Sequence, residues 1–166
     1  MEVHDIDNFV EDLMSKYGFL PKSSYNSAPF NKKVFYSGSF WDDDELKAAI
    51  KTFLFGKWMV YGEECRRFER EFSEYFQPGS DSVFVNSGSS ADLLMLAATK
   101  KLYNWQDFNE VIISSVGFPT TLNAITLNNL TPVFVDIELD TLNWDLDELN
   151  KAITPKTVAV LLSPVL

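Results

Sequence analysis

From residue 81 onward the chain alternates short, β-branched apolar runs with helix-forming stretches, and this alternation restricts its fold more than any other feature. Runs at 83–86, 111–114, 132–137 and 158–163 have strand character. Between them, 90–102, 119–128 and 145–153 read as helices. The last of these opens with a capping-box pair, Asp145 and Glu148, and offers Leu146, Leu149 and Ile153 for burial. Strands separated by crossover helices pair in parallel, and a parallel sheet needs cover on both faces. The expected fold is therefore α/β, a three-layer αβα arrangement around a mostly parallel sheet. Ligands of such sheets sit off the carboxyl ends of the strands, where the turns after Val85, Ser114, Val135 and Leu162 gather.

Those turns carry the chemistry. The first, Ser87-Gly88-Ser89-Ser90, joins the run at 83–86 to a helix start. It aims amide donors, hydroxyls and the positive end of a helix dipole at one point, which suits a dianionic phosphate. The alternative is that Ser89 or Ser90 caps its own helix and binds nothing. In the second turn Pro119 starts a helix while Phe118, preceding it, stays extended. Its ring either stacks on a flat ligand or covers the sheet edge as an ordinary core side chain. Asp136 follows the third run, with Asp140, Thr141 and Asn143 beyond it.

Upstream, Ile6, Phe9, Val10, Leu13 and Met14 recur at helical spacing, predicting a short amphipathic helix over 7–17. Residues 21–29 are rich in Ser, Asn and Pro and read as an arm. Asp42 and Glu45 form a second capping-box pattern, after which Leu46, Ala49, Ile50, Phe53 and Leu54 share a face until Gly56. The acidic trio Asp42-Asp43-Asp44 is read as dipole compensation on a solvated surface, and no metal site is expected. A further helix over 63–76 places Cys65, Phe68, Phe72, Tyr75 and Phe76 on an expected core face, and Pro78-Gly79 ends it. The expected organisation is 1–31 as N-terminal helix and arm, 32–79 as a helical segment packing on the main domain, and 80–166 as the α/β part.

Composition removes several classes of function. A net charge of −10 repels polyanions, so neither nucleic acid nor an anionic membrane surface is an expected partner. One cysteine and one histidine leave no zinc cluster and no intrachain disulfide. No run approaches membrane-spanning length and the N-terminus is acidic, so the expected location is cytoplasmic. The P-loop, the dinucleotide fingerprint and the G-x-S-x-G elbow are all missing from the 166 residues.

Five segments taken together point to one family. Val85-Asn86-Ser87-Gly88-Ser89-Ser90-Ala91, Glu110-Val111-Ile112-Ile113, Gly117-Phe118-Pro119-Thr120-Thr121-Leu122-Asn123, Pro132-Val133-Phe134-Val135-Asp136-Ile137 and Ile153-Thr154-Pro155-Lys156-Thr157 resemble the DegT/DnrJ/EryC1/StrS sugar aminotransferases. The similarity runs over about 34–166, with Phe68-Glu69 also fitting, and within the family it leans toward the nucleotide-deoxysugar 3-dehydratases.

The resemblance implies the large domain of a pyridoxal 5'-phosphate (PLP) enzyme of the aspartate aminotransferase fold, present in part. It implies a nucleotide-sugar substrate of deoxysugar and lipopolysaccharide biosynthesis, C3 dehydration or transamination as the reaction, and a homodimer. Gly88, Ser89 and Ser90 would hold the cofactor phosphate and Phe118 would stack on its ring. Asp136 is not assigned to the pyridine nitrogen. Asp92 departs from the asparagine common in the dehydratase branch and adds negative charge near the phosphate seat. The Schiff-base lysine, or the histidine that replaces it, is expected beyond Leu166, so no catalytic residue is assigned. Lys100, Lys101, Lys151 and Lys156 read as helix-end and loop charges. The other class of function held open is a noncatalytic interaction module that docks through an open sheet edge.

Overall fold

A computed structural model of the chain describes residues 3–17, 42–58 and 60–162. The arm expected at 21–29 and the end of the strand expected at 158–163 lie outside them. Two compact units divide between Phe84 and Val85.

The first unit contains α1 (Val3–Tyr17), α2 (Asp43–Phe55) and α3 (Glu63–Phe76). α1 packs on α2, and its Ile6 and Val10 are fully buried. Lys51 pairs with Asp7 at 2.6 Å and Lys47 with Glu11 at 3.0 Å. Partner numbers fall on α1 as they rise on α2, so the two helices run antiparallel. Lys47 also reaches Asp43, four residues back on its own helix, at 2.7 Å. Asp42 caps α2 with both halves of the predicted capping box formed, its side chain accepting from Asp44 N–H while Glu45 accepts from Asp42 N–H.

Two expectations for this unit are corrected. Only Leu46 and Ile50 of the α2 face are partly covered, whereas Phe53 and Leu54 are exposed, because α1 reaches only part of that face. The aromatic face of α3 is not core either: Phe68, Phe72, Tyr75 and Phe76 are all exposed. These rings pack on one another instead, with Phe68 and Phe84 edge to face at 5.1 Å and Phe72 and Phe76 at 4.4 Å. Helical spacing predicts that side chains share a face, and a second element must be present before that face becomes interior.

The second unit holds α4 (Gly88–Leu102), β1 (Glu110–Ser114), α5 (Pro119–Leu127), β2 (Thr131–Val135), α6 (Leu146–Ala152) and β3 (Thr157–Val160). Its three strands form a parallel sheet in the order β2-β1-β3, the topology that alternating helices require. β1 and β2 pair from Glu110↔Thr131 to Ser114↔Val135, so the two strands end level. β1 is the central strand and is buried on both faces. Val111 and Ile113 join Leu96, Ala124, Ile125 and Leu130 in the core under α4 and α5, while Ile112 is fully buried on the opposite face. This is the covered parallel sheet of an αβα fold.

Further departures mark where local pattern is insufficient. Residues 83–86 belong to no strand, since no other described strand pairs with them. The backbone donor of Phe84 goes to the Glu69 carboxylate at 2.7 Å. The third run leaves the sheet after Val135, and Ile137 instead forms an antiparallel bridge with Trp144. Leu146 and Ile153 of α6 are exposed and Leu149 is only partly covered. Asp145 caps α6 through Asp147 and Glu148 N–H, but the reciprocal half of the box is missing because Asp145 N–H is bonded to the Asp136 carbonyl. α4 and α5 both close on asparagines with left-handed φ, Asn104 at 54° and Asn129 at 55°, which serve where glycine usually would.

Candidate functional site

Ser87 decides the start of α4. Its hydroxyl oxygen accepts from Ser90 N–H at 3.2 Å, so the cap is Ser87 and neither Ser89 nor Ser90. That leaves Gly88 and Ser89 in a first turn whose amides have no acceptor within the helix, at the positive end of its dipole. A side chain at Gly88 would meet nothing within 4 Å, and its φ is not left-handed. Glycine is thus required at 88 neither by backbone strain nor by close packing. Gly117 has the same openness and the same freedom from strain.

Phe118 sits where its sequence predicts. It is the N-cap of α5, extended at φ −74° and ψ 134°, with Pro119 as the first helical residue. Its ring is 65% exposed, which makes it a rim residue and not core. Around it the ends of β1 and β2 and the loop 115–118 form a concavity of about 220 Å³, whose walls include Ser115, Gly117, Phe118, Thr121, Phe134 and Leu161.

Gly88, Ser89 and Ser90 do not line that concavity. They lie at the start of α4, which packs on α5. Thr121, in the first turn of α5, donates to Asp92 of α4 at 3.5 Å. Two helix starts thus lie on the same face of the sheet, one with Ser87 capping only the Ser90 amide, the other with an exposed phenyl ring.

Asp136 was left without a role by the sequence. Its Oδ1 accepts from the Ser115 hydroxyl at 3.1 Å and from Ile137 N–H at 2.8 Å. No local pattern marks this bond, since the partners lie 21 residues apart. Lys100, by contrast, behaves as the helix-end charge expected of it, reaching Asp107 and the Asn128 carbonyl at 2.7 Å. Lys151 pairs with Glu148. The trio Asp42-Asp43-Asp44 brings its carboxylates together at an exposed helix start, with Asp43 engaged by Lys47 and held below the usual carboxylate range by that hydrogen bond.

First-turn amides with a helix dipole suit an anion, and an exposed aromatic face suits a flat ring; α4 supplies the one and the start of α5 the other. The class this defines is a parallel α/β domain with its ligand-facing turns at the carboxyl ends of the strands. The chain belongs to the DegT/DnrJ/EryC1/StrS aminotransferase family, which matches residues 41–165.

Among its relatives, GDP-4-keto-6-deoxy-D-mannose 3-dehydratase of Yersinia pseudotuberculosis is 43% identical over 129 residues, covering 75% of this chain and 32% of that protein. The Escherichia coli enzyme of the same name, solved with bound hydrated PLP, is 32% identical with a TM-score of 0.61, over 74% of this chain and 31% of that one. A Streptococcus pneumoniae protein assigned as a sugar aminotransferase, solved in its PLP form, is 30% identical with a TM-score of 0.66, over 76% and 31%. The chain thus spans about a third of the length of the relatives it matches.

Proposed function

We propose that these residues are the phosphate-gripping part of a PLP-dependent enzyme that removes the C3 hydroxyl of a 4-keto-6-deoxy nucleotide sugar. The observation that carries the reading is the open start of α4, where Gly88 is needed neither for backbone conformation nor for packing. In this reading Gly88, Ser89 and Ser90 bind the phosphate through first-turn amides and hydroxyls, and Phe118 covers one face of the ring. The bound cofactor supplies an electron sink beside the carbon that loses its proton. The chain's own contribution is to bind and orient it and to exclude water from one face of the ring. Asp92 brings a carboxylate close to the anion, softened by the hydroxyl of Thr121. The dehydratase names among the most similar relatives favour this reaction.

A second reading, transamination of a nucleotide-linked keto-sugar, is supported by a relative that is 36% identical over 120 residues and carries the name dTDP-4-dehydro-2,3,6-trideoxy-D-glucose 4-aminotransferase. The complete protein incubated with a 4-keto-6-deoxy nucleotide sugar and glutamate separates the two by product mass, a 3-deoxy keto-sugar against an amino-sugar. Neither product, with PLP still bound, leaves the noncatalytic interaction module. A homodimer and a cytoplasmic setting belong to the same proposal. No helix among the described residues is long and apolar enough to cross a membrane.

The direct test is titration with PLP, followed by the shift of its absorption band. Binding that Gly88→Asp abolishes supports the seat. A wild-type protein that leaves the PLP spectrum unchanged sinks it.

A further inference from the structure

Loop 115–118 carries Phe118 to the rim, yet every residue in it is exposed, so apolar burial does not hold its shape. Hydrogen bonds at the level ends of β1 and β2 do so. Ser115 N–H donates to the Val135 carbonyl at 2.9 Å, and Val116 N–H donates to Ser114 Oγ at 3.1 Å. The Ser115 hydroxyl donates to Asp136 Oδ1, and that same oxygen accepts from Ile137 N–H. The Asp136 carbonyl accepts from Asp145 N–H at 3.1 Å, fixing the residue that caps α6. One residue thus ties together the loop after β1, the turn after β2 and the start of α6.

We propose that Asp136 is the positioning residue for Phe118, holding loop 115–118 through Ser115 and acting as a hydrogen-bond acceptor and not as a charge. Both side-chain bonds end on a single oxygen, so the amide oxygen of an asparagine can replace it. The cofactor consequence rests on the reading of Phe118 given above, whereas the tether does not.

The experiment uses the purified chain as wild type, Asp136→Ala, Asp136→Asn and Ser115→Ala. The first readout is amide hydrogen exchange at Val116 in the ligand-free protein, an amide that Asp136 does not touch. Exchange is expected to rise ~10-fold in Asp136→Ala and Ser115→Ala and to stay within ~2-fold of wild type in Asp136→Asn. The second readout is the PLP titration with its induced circular dichroism. Asp136→Ala is expected to keep PLP affinity within ~3-fold, since the phosphate grip is elsewhere, while losing over half of the induced signal, and Asp136→Asn restores that signal.

Unchanged Val116 exchange in Asp136→Ala overturns the tether. Equal loss in Asp136→Asn and Asp136→Ala overturns the acceptor role, because charge would then be what matters. A wild type that binds no PLP removes the cofactor role of Phe118, and Val116 exchange still decides the tether.

Discussion

At the scale of single residues, the informative positions are those whose chemistry exceeds what the fold asks of them. Gly88 is one. Its φ is unexceptional and the space a side chain would fill is empty, so Gly88→Ala is expected to change the unfolding free energy of the free chain, measured in urea, by less than about 0.5 kcal/mol while weakening PLP binding. A large loss of stability with unchanged PLP affinity would make Gly88 a packing residue.

Glu69 is another. It accepts from Tyr61 O–H and from Phe84 N–H, and the Tyr61 hydroxyl, followed by the Phe84 amide, holds its carboxyl below the usual glutamate range. A depressed folded pKa stabilises above the ordinary glutamate range and loses that contribution as pH falls through the folded value. The stability advantage of wild type over Glu69→Gln, measured by urea unfolding, is therefore expected to be full near neutrality and to vanish on acidification below the depressed value. Tyr61 is shifted the other way: the Glu69 hydrogen bond raises its phenol above the usual range, so its contribution is present below that range and fades in strong alkali.

At the scale of elements, helix starts are set by single side chains. Ser87 and Asp145 each satisfy first-turn amides, Asp145 with two donors at 2.9 and 3.0 Å. Ser87→Ala and Asp145→Ala are each expected to cost about 1 kcal/mol in thermal or urea unfolding. For Ser87→Ala the loss of PLP affinity should stay small, because the amides proposed to grip the phosphate are those the cap leaves free. In the layer between the sheet and α5, Ile125 is fully buried among Val111, Ile113 and Leu130. Ile125→Val should cost about 1 kcal/mol and leave PLP binding intact, since the site depends on where α5 starts and not on one methylene beneath it.

For the whole molecule, the sheet has three strands with both outer edges unpaired by any described strand, and many large apolar side chains are exposed, including Phe68, Phe72, Phe76, Leu102 and Leu127. Open edges and contiguous apolar faces favour association. The isolated 166-residue chain is accordingly expected to show concentration-dependent sedimentation and strong binding of a hydrophobic dye. A monodisperse monomer that binds no dye would show those faces to be better covered than their exposure implies.

The sequence by itself determined what depends on neighbours along the chain. The α3 boundaries Glu63–Phe76, the capping box at Asp42 and Glu45, the extended Phe118 ahead of Pro119, and the parallel βα alternation all follow from patterns a few residues long. The resemblance of five short segments was enough to indicate the family that matches residues 41–165. Tertiary structure alone decided which apolar faces have cover, whether residues 83–86 find a strand partner, and that Asp136 reaches back 21 residues to Ser115. Periodicity reports which side chains point together. Burial and long-range hydrogen bonds need a second surface at the right distance, and only the folded chain supplies one.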